Sequence, residues 1–117
     1  NDCKELAEVV AREHGNIHRS GDLKAAAILR LLTRCDAIRQ SGRFALVLQA
    51  CEADARGRLG LENAAYPQAQ RLGRALEAAL GVVTADMAAA AAREGLQGPQ
   101  VGARIEAARA AAIDRQL

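Results

Sequence analysis

Residues 23–38 read LKAAAILRLLTRCDAI, and their spacing decides the fold class. Leu23, Ala27, Ile28, Leu31, Leu32, Cys35 and Ile38 return every three or four positions, while Arg30, Arg34 and Arg39 fall on the opposite side. That is the pattern of an amphipathic helix, expected here to run to about Arg39. The same period extends outward in both directions. Before it, Leu6, Val9, Val10 and His14 form a stripe opposite Glu5, Glu8, Arg12 and Glu13, with Gly15 and Asn16 as expected terminators. Ser20, Gly21 and Asp22 then offer an N-cap for the next helix. After it, Phe44, Val47, Leu48, Cys51 and Ala55 mark a third helix that ends near Gly57 or Gly60.

Residues 59–65 lack periodicity and read as a loop, and Pro67 suits the first turn of a fourth helix whose expected buried side is Leu72, Leu76, Leu80 and Val83. Thr84 is a candidate N-cap for a short alanine-rich helix stopped by Gly95. Pro99 opens the last helix, with Val101, Ile105, Ala108 and Ala112 on one face. Composition agrees: among 117 residues there are 28 alanines and 14 leucines but only 6 valines, 5 isoleucines and 2 aromatic residues, which favours helix over strand. With no repeat of solenoid length, the expected fold is all-α, an irregular bundle of about six short helices.

Composition also narrows function. One Phe, one Tyr and no Trp leave no row of aromatics for stacking on single-stranded bases. A net charge of +2 identifies no partner by itself, although 14 of the 16 cations are arginine, the side chain that grips phosphates bidentately. Three cysteines, at 3, 35 and 51, form no C-x-x-C pair and suggest neither a disulfide framework nor a zinc site, so reduced thiols and a cytoplasmic location are expected. No apolar run reaches the length of a membrane span, and the chain starts at Asn1 inside a helical pattern, as a fragment would.

Four segments could carry chemistry. His14 and His18 are four apart, a metal-binding spacing on a continuous helix, but Gly15 and Asn16 intervene; His14 is expected to cap the apolar stripe and His18 to lie in a surface loop. Asp36 can pair with Arg39 one turn on, the favoured reading, or ligate a divalent ion. In Glu52-Ala53-Asp54-Ala55-Arg56-Gly57-Arg58, the arginines either complement the helix dipole or contact phosphate. At Gly98-Pro99 the start of the last helix, with Arg104 one turn in, is either a tight turn or a phosphate seat. No nucleophilic triad, P-loop or dinucleotide fingerprint is present, so no catalytic residue is assigned.

Taken together, Leu6-Ala7 with Val9-Val10, His14-x-x-Ile17-His18, Leu31-Leu32 with Asp36-Ala37, Glu52 to Arg58, Tyr66-Pro67-Gln68 and Gly95-Leu96-x-Gly98-Pro99-x-Val101-Gly102 resemble the C-terminal region of bacterial multifunctional CCA-adding tRNA nucleotidyltransferases. The resemblance spans nearly the whole chain. It implies distal helices of an HD-type domain over residues 1–60 and a helical tRNA-binding tail over 61–117. It implies as partners tRNA and the upstream catalytic domains of the same polypeptide, and for the whole enzyme CTP, ATP and Mg2+, with a divalent metal in the HD domain. The family's nucleotidyltransferase loop, its D-x-D pair and the His-Asp doublet are missing here, and Gly15 follows His14 where some relatives carry aspartate. The chain alone is therefore expected to be inactive, with no metal site and no cofactor of its own, and to help position tRNA. Its expected RNA contacts are Arg56, Arg58, Arg71, Arg74 and Arg104. The competing expectation is a helical protein-interaction or dimerisation module without a nucleic-acid role.

Overall fold

A computed structural model describes residues 2–58 and 60–117. Asn1, and Leu59 at the head of the expected loop, lie outside the described residues. Among the described residues six α-helices follow one another: α1 (Asp2–His18), α2 (Ala25–Arg34), α3 (Ser41–Arg56), α4 (Pro67–Leu80), α5 (Thr84–Arg93) and α6 (Gly98–Asp114), with a 3-10 turn over Ser20–Asp22. The all-α expectation holds. The molecule is a slab of 57 × 33 × 17 Å with a radius of gyration of 16.0 Å, wider than the roughly 13 Å of a compact chain this long. The buried apolar side chains form one cluster.

That core runs from Val9 and Ile17 through Ile28, Leu31, Leu32, Phe44, Val47 and Cys51 to Leu72, Leu76, Ala79 and Ile113. It joins helices from both sides of residue 60. Burial pushes the thiols of Cys35 and Cys51 up to about 11, so both stay protonated and behave as small apolar side chains.

Four boundaries differ from expectation. Helix α1 does not stop at Gly15 but continues to His18, because its last carbonyls find donors on α4: the Gln68 amide donates to the His18 carbonyl at 2.9 Å. The following turn is secured likewise, with Arg71 donating to the Ser20 and Leu23 carbonyls at 2.9 Å each. Helix α2 stops at Arg34, five residues early, because Asp36 turns left-handed at φ 54° and sends the chain toward α3. Ser20–Asp22 forms its own turn rather than a cap, and the residue before α2 is Lys24. Thr84 is the first residue of α5 and Val83 precedes it as cap. Two packing expectations also fail, since Leu80 and Val83 stand exposed past the last turn of contact between α4 and the core. The two proline signals hold: Pro67 starts α4, and α6 opens with a capping box in which Gln97 and Gln100 exchange hydrogen bonds beside Pro99.

Glu13, expected on the solvent side, is buried at 3% exposure. It accepts hydrogen bonds from Asn16 at 3.0 Å, Arg34 at 3.1 Å and Arg12 at 3.3 Å. Burial alone would raise its carboxyl pKa, but these bonds and the charge of Arg34 outweigh it and hold the group below the ordinary carboxylate value. Arg12 also donates to the Arg34 carbonyl at 2.8 Å and so closes the end of α2 onto α1.

Candidate nucleic-acid interface

The continuous α1 brings His14 and His18 onto one face, with ring centroids 5.8 Å apart in an edge-to-face arrangement. His14 bonds its Nδ1 to the Val10 carbonyl at 2.9 Å. His18 is not a surface-loop residue: its Nδ1 is 2.7 Å from the Tyr66 hydroxyl and its Nε2 3.1 Å from an Asp54 oxygen. In the neutral imidazole, Tyr66 donates to Nδ1 and Nε2–H donates to Asp54. Burial first, then nearby Cys51, Asp54 and Glu52, push the Tyr66 phenol up to about 12, which keeps it a donor. The end of α1, the end of α3 and the start of α4 are thereby tied at one corner.

Around that corner lie clefts that share walls. One, of about 420 Å3, is lined by Ala55, Arg56, Arg58, Leu61, Ala64 and Tyr66 among others, together with His18, Arg19 and Gln68. His18, Arg19 and Gln68 also line a second cleft that reaches Arg71. Arg71 and Pro67 in turn line a third that reaches Arg74 and the C-terminal Gln116 and Leu117. Four of the five arginines expected from sequence thus stand along one connected edge, and Arg19, which sequence reasoning missed, stands between them.

Their freedom differs. Arg58 is 67% exposed and lies 4.0 Å from Asp54, and Arg74 is exposed with no ion-pair partner among the described residues. Arg56 pairs with Glu52 at 3.1 Å and donates to the Ala64 carbonyl at 3.1 Å, fixing the 60–66 segment. Arg71 spends its guanidinium on the two backbone carbonyls named above. Arg104 pairs with Glu94 near the α5–α6 turn and lines none of the three clefts.

Asp36 takes the ion-pair alternative: Arg39 grips it with bonds of 2.6 and 2.9 Å, and Arg43 approaches to 3.9 Å. The Arg39 hydrogen bond lowers its carboxyl pKa, reinforced by the charges of Arg39 and Arg43. Among the described residues no three His, Cys, Asp or Glu side chains converge as metal ligands. His14→Ala and Asp36→Ala are accordingly expected to leave the affinity of the chain for Mn2+ or Zn2+ nearly unchanged in a metal titration. A tight stoichiometric site abolished by either substitution would contradict this.

An all-helical segment with an arginine-lined edge is the class that fold and site define. Comparison with known proteins narrows it. The chain is 62% identical over 116 residues, 99% of its length, to the multifunctional CCA protein of Paracidovorax citrulli (strain AAC00-1). It is 60% identical over 112 residues to that of Acidovorax sp. (strain JS42), and 58% identical over all 117 to that of Cupriavidus necator. The resemblance read from the motifs holds: the chain is similar along nearly its whole length to the C-terminal part of multifunctional CCA proteins. It spans 26–28% of the length of these relatives. No protein-family model matches the chain, and no solved structure matches it. Among the described residues no single helix is long and apolar enough to cross a membrane.

Proposed function

We propose that this chain is the tRNA-contacting, non-catalytic helical part of a CCA-adding tRNA nucleotidyltransferase, and that it positions tRNA through phosphates while chemistry occurs elsewhere in a longer polypeptide. The observation that carries the reading is the connected edge of Arg19, Arg56, Arg58 and Arg74 on a chain whose relatives are multifunctional CCA proteins. Arginines along an open edge meet successive backbone phosphates whatever the base sequence. Arg71 supports this edge by holding the turn after α1, and Arg104 steadies the start of α6 through Glu94.

Within this reading, residues 1–60 are the distal helices of an HD-type domain and residues 61–117 the tRNA-binding tail, joined by the common apolar core. CTP, ATP and Mg2+ would serve the whole enzyme, in the cytoplasm, and are bound outside this chain. A groove between α1 and α3, lined by Cys3, Leu6, Ala7, Val10, Ala11 and Ala50, favours a second role, packing against the upstream domains of the same polypeptide.

Two measurements on the purified chain test the proposal. Given tRNA lacking its 3′ end, CTP, ATP and Mg2+, it is expected to incorporate no nucleotide, since its sequence lacks the D-x-D pair that the family's nucleotidyltransferase head carries for two-metal phosphoryl transfer. In a filter-binding titration it is expected to bind tRNA with affinity that falls steeply with salt. Nucleotide incorporation would overturn the non-catalytic assignment, and absence of tRNA binding at low salt would leave the protein-interaction module as the function.

A further inference from the structure

The 420 Å3 cleft at the His18–Tyr66 corner differs from the rest of the arginine edge in having an apolar floor. Ala55, Leu61, Ala64 and Ala65 supply that floor, and Arg19, Arg56 and Arg58 stand around it. The size is that of a small-ligand site rather than of a groove for a duplex. Its polar feature is Gln68. The side-chain NH2 of Gln68 donates to the His18 carbonyl, which fixes the amide and leaves Oε1 buried without a hydrogen-bond partner. Gln68 lines the cleft, so this free acceptor adjoins it. Two carboxylates are near, but Asp54 is held by His18 and faced by Arg58, and Glu52 by Arg56, so three arginines stand against two already paired acids. The Tyr66 ring is held in place by its bond to His18 and is 8% exposed.

We propose that this cleft receives one unpaired nucleotide of an RNA: the base lies on the Ala55–Leu61–Ala64–Ala65 floor, a base amino group or ribose hydroxyl donates to Gln68 Oε1, and the phosphate faces Arg19 and Arg58. The proposal rests on the RNA-contact reading above. It adds to it a site that senses an unstacked nucleotide where sequence composition alone pointed to phosphate contacts only.

Equilibrium dialysis of the 117-residue chain against AMP, CMP, ribose 5-phosphate and inorganic phosphate tests it. AMP or CMP is expected to bind at least about tenfold more tightly than inorganic phosphate and to be displaced by tRNA, as a nucleoside held by both its apolar and polar parts requires. Ala65→Trp, which fills the cleft, and Arg58→Ala, which removes an exposed cation, are each expected to weaken AMP binding at least about fivefold. Circular-dichroism melting checks the fold of both; if Ala65→Trp lowers the melting temperature, the solvent-exposed Arg58→Ala variant decides. Nucleotide affinity no greater than that of inorganic phosphate, or unchanged in the variants, overturns the proposal. If tRNA still binds with a salt slope that depends on Arg74, the cleft assignment alone falls; if tRNA binding is absent too, the RNA-contact reading falls with it.

Discussion

A chain carrying Arg19→Ala, Arg58→Ala and Arg74→Ala together is expected to bind tRNA roughly 100- to 1,000-fold more weakly than the unmodified chain near 0.1 M salt, with the log–log salt slope reduced in magnitude by about two to three. Each arginine that neutralises a phosphate releases condensed counterions, so each substitution takes away somewhat less than one unit of slope and about five- to tenfold in affinity at that salt. These three are chosen because they are exposed, and each side chain can leave without unsatisfying a buried group. Arg71 is a poorer probe. Its removal strips donors from the Ser20 and Leu23 carbonyls, so weakened binding would report a disturbed turn as readily as a missing phosphate interaction. Filter binding with several tRNAs at three salt concentrations reads both quantities, and the effect is expected to be nearly equal among them. An unchanged slope in the triple variant would remove this edge from the contact surface.

Glu13→Gln is expected to lower stability by about 1.5–3 kcal/mol at neutral pH, because a buried acceptor of three charged or polar donors loses its charge. The pH dependence separates this from a simple packing defect. Since the folded carboxyl titrates below its unfolded value of 4.5, its stabilisation is fully present above that value and is lost as pH falls through the folded pKa. The difference in urea midpoint between the two proteins should therefore stay constant from pH 7 to about 5 and shrink below about 4.5. A gap that is flat down to pH 3 would mean that Glu13 acts by shape and not by charge.

What could be read from sequence follows from how local each signal is. The six helices, the start of α4 at Pro67 and the start of α6 beside Pro99 depend on periodicity and on residues within one turn, and these were legible. The end of α1 was not, because Gly15 costs helix stability locally and the compensation comes from Gln68, some fifty residues away. Sequence separation also hid Glu13, which looks solvated by period but meets Arg34, 21 residues on at the end of α2. Asp36 shows the mixed case. Its pairing with Arg39 is a local spacing and was foreseen, whereas its left-handed backbone, which ends α2, is not encoded in the apolar stripe.

For the interface, residue type was informative and position was not. Arginine in E-A-D-x-R-G-R and the Y-P-Q triplet drew notice as motifs, and the structure adds that Asp54, His18 and Tyr66 link them into one corner. Arg19 carried no motif and was missed; only the course of α1 places it between Arg58 and Arg71. Arg104 fitted the expectation of a cation near a helix start, yet Glu94 already occupies it.

The most direct test is to titrate the isotope-labelled chain with tRNA and map the perturbed backbone amides by NMR. The result expected is a contiguous set of shifts from Arg19 through Arg56, Gly57 and Arg58 to Pro67-flanking residues and Arg74, fading as salt is raised, with the outer face of α5 unaffected. Shifts centred on α5 or on the α1–α3 groove, or none at low salt, would contradict a tRNA-positioning role for this edge.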